Sequence, residues 1–305
     1  MPQLNGDQPP RYYYHSSHRS DPRPDKPHRE RRISGKVKAT FSVIMIAALL
    51  FTLPHLPFLF GTAHATQVTK PVETFDQMSR NINTIIANNS AITFGVSIID
   101  TSDGKQTNFG QTTAMTAASV SKLLTAAYFL HQVESGQQNL SQTLDDGNTA
   151  STDINQMLTV SSDPAWSALN DELGNDQLQS YANSLGVYSY QVSDNTMSPP
   201  GTADLYAKLY EGKLLNATDT KLVLGYLKQA NYRDLVVPAV PNYDTIYHKA
   251  GEFSDDVNDA TIITNGHKTI ILVIYTDGNG NYDWVQRAHL MQQITDHALR
   301  YYQLN

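Results

Sequence analysis

The sequence predicts an α+β domain in which a block of helices is inserted into a single sheet. Two observations predict it. Strand-like runs occur near both ends of residues 72–305, and the stretch between them is filled with helix-period apolar patterns. In order, residues 73–88 place Phe75, Met78, Ile82, Ile85 and Ile86 at helical spacing. Residues 92–99 are rich in β-formers, and Thr101-Ser102-Asp103-Gly104 turns the chain into 105–109 as a hairpin. A helix is expected over 117–130, where Leu123, Leu124, Ala126, Ala127, Phe129 and Leu130 are apolar nearly all round, as a buried central helix requires. Helical patterns follow at 152–160, 164–173, 176–185, 202–210 and 219–229. Strand-like runs return at 245–249, 259–264 and 269–275. A closing helix over 282–302 carries Val285, Ala288, Met291, Thr295, Ala298 and Tyr302 along one stripe.

Ahead of this domain the composition changes. Residues 1–38 hold nine Lys/Arg against four Asp/Glu and read as a disordered basic tail. The other 267 residues hold thirteen against twenty-five, so the body is acidic and gives no sign of a nucleic-acid partner. Residues 39–62 include the apolar run from Phe41 to Phe60, expected to be a membrane anchor or signal segment, with 63–71 as a linker. The basic flank before that run places the N-terminus inside and the domain outside the cytoplasm. The expected location is therefore the cell membrane, single-pass. Cleavage after Ala65, in Ala63-His64-Ala65, would instead release the domain. Cysteine is absent, which excludes thiol catalysis and cysteine-ligated metals.

The chemistry begins at Ser119-Val120-Ser121-Lys122. A serine and a lysine three positions apart share one side of a helix. At a helix start, free N–H groups favour developing negative charge and ease deprotonation of a nearby ammonium. Such a lysine can take the serine proton as the hydroxyl attacks a carbonyl. The bare S-x-x-K pattern is common, and Ser102-Asp103-Gly104-Lys105 spells it within the hairpin turn.

Two further stretches complete a site. Ser161-Ser162-Asp163 precedes Pro164-Ala165-Trp166, and Tyr247-His248-Lys249-Ala250-Gly251-Glu252 opens the second half of the sheet. With Ser119-x-x-Lys122 they resemble the S-x-x-K, S-D-N and K-T-G elements of the penicillin-recognising serine hydrolases, above all class A β-lactamases. Asn231-Tyr232-Arg233-Asp234 and Ser198-Pro199-Pro200-Gly201-Thr202 also look like that family. The resemblance covers roughly residues 72–303. It implies a β-lactamase/transpeptidase-like fold, an antiparallel sheet flanked by helices with a helical subdomain inserted between its second and third strands. It also implies roles. Ser119 would be the nucleophile, Lys122 the general base, Ser161 a proton relay and Lys249 the attractor of a substrate carboxylate. The oxyanion hole would be the amides of Ser119 and Glu252, and Asp163, Ala250 and Gly251 would line the substrate. Taken singly, Ser161 is equally a cap for the helix entered at Pro164, and Lys249 an edge-strand charge.

Departures from the family pattern shape the expected function. Asp163 stands where the family has asparagine, and a carboxylate accepts where an amide would donate. Ala250 lacks the hydroxyl that would hold a substrate carboxylate. Class A enzymes use a loop glutamate for deacylation, whereas Gly174 to Tyr210 contains no Glu, only Asp176, Asp194 and Asp204. Asp194 is the nearest substitute. The expected function is an extracytoplasmic serine hydrolase that forms an acyl-enzyme with β-lactams or peptidoglycan-derived D-alanyl peptides and deacylates slowly. The alternatives are a membrane-tethered wall-binding or sensing module without turnover, and an esterase or amidase for other acyl groups. No metal or cofactor is assigned: 277–283 lacks the residues a calcium loop needs, and the histidines show no H-E-x-x-H pattern. Trp166 and Trp284 read as packing residues.

Overall fold

In the computed structural model, residues 70–242 and 244–304 are described. The basic tail and the predicted anchor at 39–62 lie outside the described residues. Among the described residues no helix is long and apolar enough to cross a membrane.

The chain enters through α1 (Phe75–Asn88), started by a capping box in which Thr74 and Gln77 bond each other's backbone amides. Its buried stripe is Met78, Ile82 and Ile85. The hairpin β1 (Thr93–Asp100) and β2 (Lys105–Gly110) follows, its turn fixed by Asp103 Oδ1 accepting from the Lys105 amide at 2.8 Å. After a two-residue strand β3 (Met115–Thr116) come a 3₁₀ turn, Ala118–Ser121, and α2 (Lys122–Glu134). The expected helix over 117–130 therefore starts late, because the backbone at Ala118 is left-handed and cannot continue an α-helix.

The inserted block is α3 (Ala150–Thr159), α4 (Asp163–Leu173), α5 (Asn175–Ser184), a short strand β4 (Thr196–Met197) paired with β3, α6 (Pro199–Tyr210) and α7 (Ala217–Lys228). The two-residue strands carry too little pattern for the sequence to reveal them. The chain then returns as β5 (Thr245–Phe253), β6 (Asp256–Thr264) and β7 (Thr269–Asp277), and closes with α8 (Trp284–Tyr302). All five long strands pair antiparallel in the order β2-β1-β7-β6-β5, so β5 is an edge. The β-lactamase/transpeptidase-like fold and the insertion between the second and third long strands are as expected.

The sheet is buried on both faces, so β7 is apolar almost throughout, and the polar residues of β6, among them Asn258, Asp259 and Thr261, are buried and hydrogen-bonded. Ile98, Leu272 and Ile263 pack against α1 and α8; Ile99, Val273 and Ile262 pack against the helical block. Because strand side chains alternate, Lys249 and Gly251 on β5 share the face that meets the block, while His248 and Ala250 share the other.

A candidate acyl-transfer site at the edge strand

Ser119 sits in the 3₁₀ turn, half-buried, at the foot of α2. Three elements clamp that turn. Asn258 on β6 donates through Nδ2 to the carbonyls of Thr116 (2.8 Å) and Ala117 (3.4 Å), and its Oδ1 accepts from the Thr276 amide. Asn195, in the short segment between α5 and β4, donates to the Ala118 carbonyl at 3.1 Å and accepts from the Ala117 amide at 2.9 Å. Gly251 on β5 comes so close that a Cβ there would lie 2.9 Å from the Ser119 nitrogen and 3.0 Å from the Ala117 oxygen. Ala118 holds φ +49°, an unfavourable conformation for a residue with a Cβ, costing about 1 kcal/mol. Its bond from Asn195 offsets that cost. Asn195→Ala is expected to lower unfolding free energy by about 1–2 kcal/mol, read by urea denaturation. No change would mean the clamp is dispensable.

Lys122 begins α2 and is fully buried. Its Nζ donates to the Ser161 carbonyl (2.8 Å), to Asp163 Oδ1 (2.6 Å) and, more weakly, to Ser161 Oγ (3.4 Å). Lys249 is also fully buried, and its Nζ donates to Ser161 Oγ at 2.8 Å and to the Ala250 carbonyl at 3.1 Å. The two ammonium groups thus converge on one hydroxyl. With both lone pairs of that hydroxyl engaged, its own proton is left to donate elsewhere. Ser161 is in the left-handed region at φ +60°, where its carbonyl reaches Lys122. It is not the cap of α4, a place taken by Ser162, whose Oγ accepts from the Ala165 amide. Lys249 lies on the edge strand as anticipated but is no solvated edge charge.

Burial strips water from both ammonium groups and disfavours their charged forms. For Lys249 this burial, reinforced by nearby Lys122 and opposed by Asp259 and Asp163, lowers the pKa to about 7. Lys122 is also lowered by burial, with Asp163 pulling it back up. Lys249 is thereby brought to proton exchange near neutrality, which an ordinary exposed lysine cannot do, and Lys122 is shifted in the same direction.

Of the eight residues picked out in the sequence, Lys122, Ser161, Asp163 and Lys249 form one bonded cluster, and Gly251 abuts Ser119. Ala250 is buried and turned to the opposite face of the sheet; Glu252 is exposed beyond Gly251. Asp194 is exposed and makes no hydrogen bond among the described residues, while its neighbour Asn195 is the one that reaches the Ser119 turn. Sequence reasoning missed Asn195, Asn258 and Trp166. The Trp166 ring centroid lies 5.4 Å from Lys122 Nζ, and its Nε1 donates to Thr125 Oγ1, so it helps wall the Lys122 ammonium rather than only packing. Its place one turn into the helix after Ser161-Ser162-Asp163 was the available signal.

A model of the β-lactamase enzyme family matches residues 77–302. Among solved structures the chain is similar to PBP-A (19% identity, TM-score 0.70), covering 77% of this chain and 98% of that one. It is similar too to a PBP-A variant described as an acyl-enzyme complex with penicillin G (19% identity, TM-score 0.69, 77% and 99% covered). An ancestral class A β-lactamase of Gram-negative bacteria matches at 18% identity and a TM-score of 0.68, covering 73% of this chain and 99% of that one. No curated protein matches the sequence. The family match spans most of the chain, and its fold is the one these structures share: this protein belongs to the β-lactamase enzyme family.

Proposed function

We propose that the domain is an extracytoplasmic serine acyl-transfer enzyme that takes β-lactams or D-alanyl peptides onto Ser119. The observation that supports it most is the meeting of two buried lysines, from α2 and β5, on the hydroxyl of Ser161 beside the Ser119 turn. In this reading the neutral fraction of Lys122 takes the Ser119 proton as Oγ attacks the carbonyl carbon. The tetrahedral oxyanion is met by the backbone amides of Ser119 and Glu252, consistent with the close approach of Gly251. Ser161 then gives its free proton to the leaving nitrogen and is reprotonated through the lysines. A PBP-A variant similar in fold is described as an acyl-enzyme complex with penicillin G, which supports a β-lactam as a probe here.

Release of the acyl group is slow in this reading. The segment between α5 and β4 carries no glutamate, and exposed Asp194 makes no hydrogen bond among the described residues. The expected result with the full-length protein and penicillin G is a covalent adduct that persists, seen by intact mass, and no adduct in Ser119→Ala. A transient adduct with loss of the drug would instead indicate an efficient β-lactamase. No adduct with any acyl donor would favour a wall-binding module without turnover.

A further inference from the structure

The polar groups next to Ser119 divide sharply by exposure. Both lysines are fully buried and occupied: Lys249 Nζ by Ser161 Oγ and the Ala250 carbonyl, Lys122 Nζ by Ser161 and Asp163. Two adjacent carboxylates reach solvent. The Asp163 side chain is 55% exposed; its Oδ1 holds Lys122, and its Oδ2 has no protein hydrogen bond among the described residues. Glu252 is exposed on β5 directly after Gly251, the residue whose Cα lies against the Ser119 amide.

A second, aromatic feature flanks the same place. The Asn231 amide donates to the Thr159 carbonyl at 2.8 Å, and its Nδ2 donates to the Val160 carbonyl. Both bonds fasten its loop to the residues leading into Ser161. That loop presents Tyr232, 49% exposed and held at φ +58°, with its ring 5.9 Å from that of Trp284. Trp284 Nε1 donates to Asp234 Oδ2. Tyr282, also about half exposed, lies near the Glu252 carboxylate. The nearby cation, Arg233, is turned to the Lys228 carbonyl. Open aromatic faces beside carboxylates attract cations and repel anions.

We propose that the acyl donor of this site carries a cationic group, an ammonium received by Asp163 and Glu252 against the Tyr232–Tyr282 rim, where a penicillin would present a carboxylate. This rests on Ser119 being the acyl acceptor. The rim selects the donor; the covalent step is unchanged. With an aryl ester, the bond from Ser119 Oγ to the acyl carbon forms as the bond to p-nitrophenolate breaks, and the serine proton passes through Lys122 to solvent.

The test uses the full-length protein and three p-nitrophenyl esters of one chain length, ending in a quaternary ammonium, a tert-butyl group or a carboxylate. Nitrophenolate release and the mass of the acyl-enzyme are read, each corrected by Ser119→Ala. The cationic ester is expected to acylate Ser119 on the order of tenfold faster than the anionic one, the scale of one half-exposed charge pair. Asp163→Asn should narrow that ratio and speed acylation by penicillin G, because an amide donates and bears no charge. If the tert-butyl ester acylates Ser119 while the cationic ester is no faster than the anionic, the proposal fails and acyl transfer stands. If Asp163→Asn slows all three esters alike, Asp163 only positions Lys122, and the proposal also fails. If no ester acylates Ser119, acyl transfer itself fails and takes the proposal with it. Should Asp163→Asn not fold, Glu252→Gln gives the same comparison.

Discussion

Lys249→Met is expected to stabilise the fold at pH 6 by about 2 kcal/mol and to slow acylation of Ser119 by about a thousandfold. The first effect follows from burial. Folding lowers the Lys249 pKa from 10.5 to about 7, so the native state holds this proton less tightly than the unfolded chain does. Between those values the unfolded state binds more protons, and stability must rise with pH across the window. Below about pH 7 the charged ammonium is buried at full cost. That cost is roughly 1.4 kcal/mol for every tenfold loss of proton affinity, less what the bond to Ser161 returns. Methionine fills a similar volume without charge and should flatten the pH dependence. Lys122 is lowered in the same direction and adds a slope of the same sign. Above about pH 10 the buried tyrosines Tyr206 and Tyr275, whose pKa values burial raises, reverse the trend. Urea denaturation at pH 6, 8 and 9.5 gives the readout. A wild-type stability that falls across that range would sink the assignment of Lys249 as a buried, weakened base.

Gly251→Ala is the second large effect. Replacing glycine within a strand ordinarily stabilises a protein by a few tenths of a kcal/mol to about 1 kcal/mol. Here the added methyl would press on the Ser119 and Val120 nitrogens and the Ala117 oxygen, all backbone atoms at or below 3.0 Å. Asn258 and Asn195 hold that turn from other sides, so it cannot simply retreat. The expected cost is about 1–3 kcal/mol of stability. The edge strand should move away from Ser119, and a displacement near 1 Å at an oxyanion site slows acylation by about a hundredfold. Retained stability together with retained acylation would show that β5 and the Ser119 turn do not meet.

Much of the fold was legible because its signals are periodic. Helices α1 and α8 and the strands β1, β6 and β7 each bury a pattern that the sequence displays directly. Where reading slipped, a backbone requirement overrode the pattern. Ala118 and Ser161 adopt left-handed φ values that nothing in their side chains announces, and these break the helix start at residue 117 and turn the Ser161 carbonyl toward Lys122. The sequence did show that Asp163 and Ala250 depart from the family pattern. It could not show that Asp163 would pair with Lys122 and leave one oxygen exposed.

The sequence alone determined which residue types were available and the order of helices and strands, because hydrophobic period and turn chemistry are local properties. It also supplied both lysines and both serines. Only the tertiary structure decided that residues 122, 161 and 249, far apart in the chain, would share one hydroxyl out of water. Water exclusion depends on what every neighbouring element covers, and that burial, rather than any motif, is what weakens the two ammonium groups.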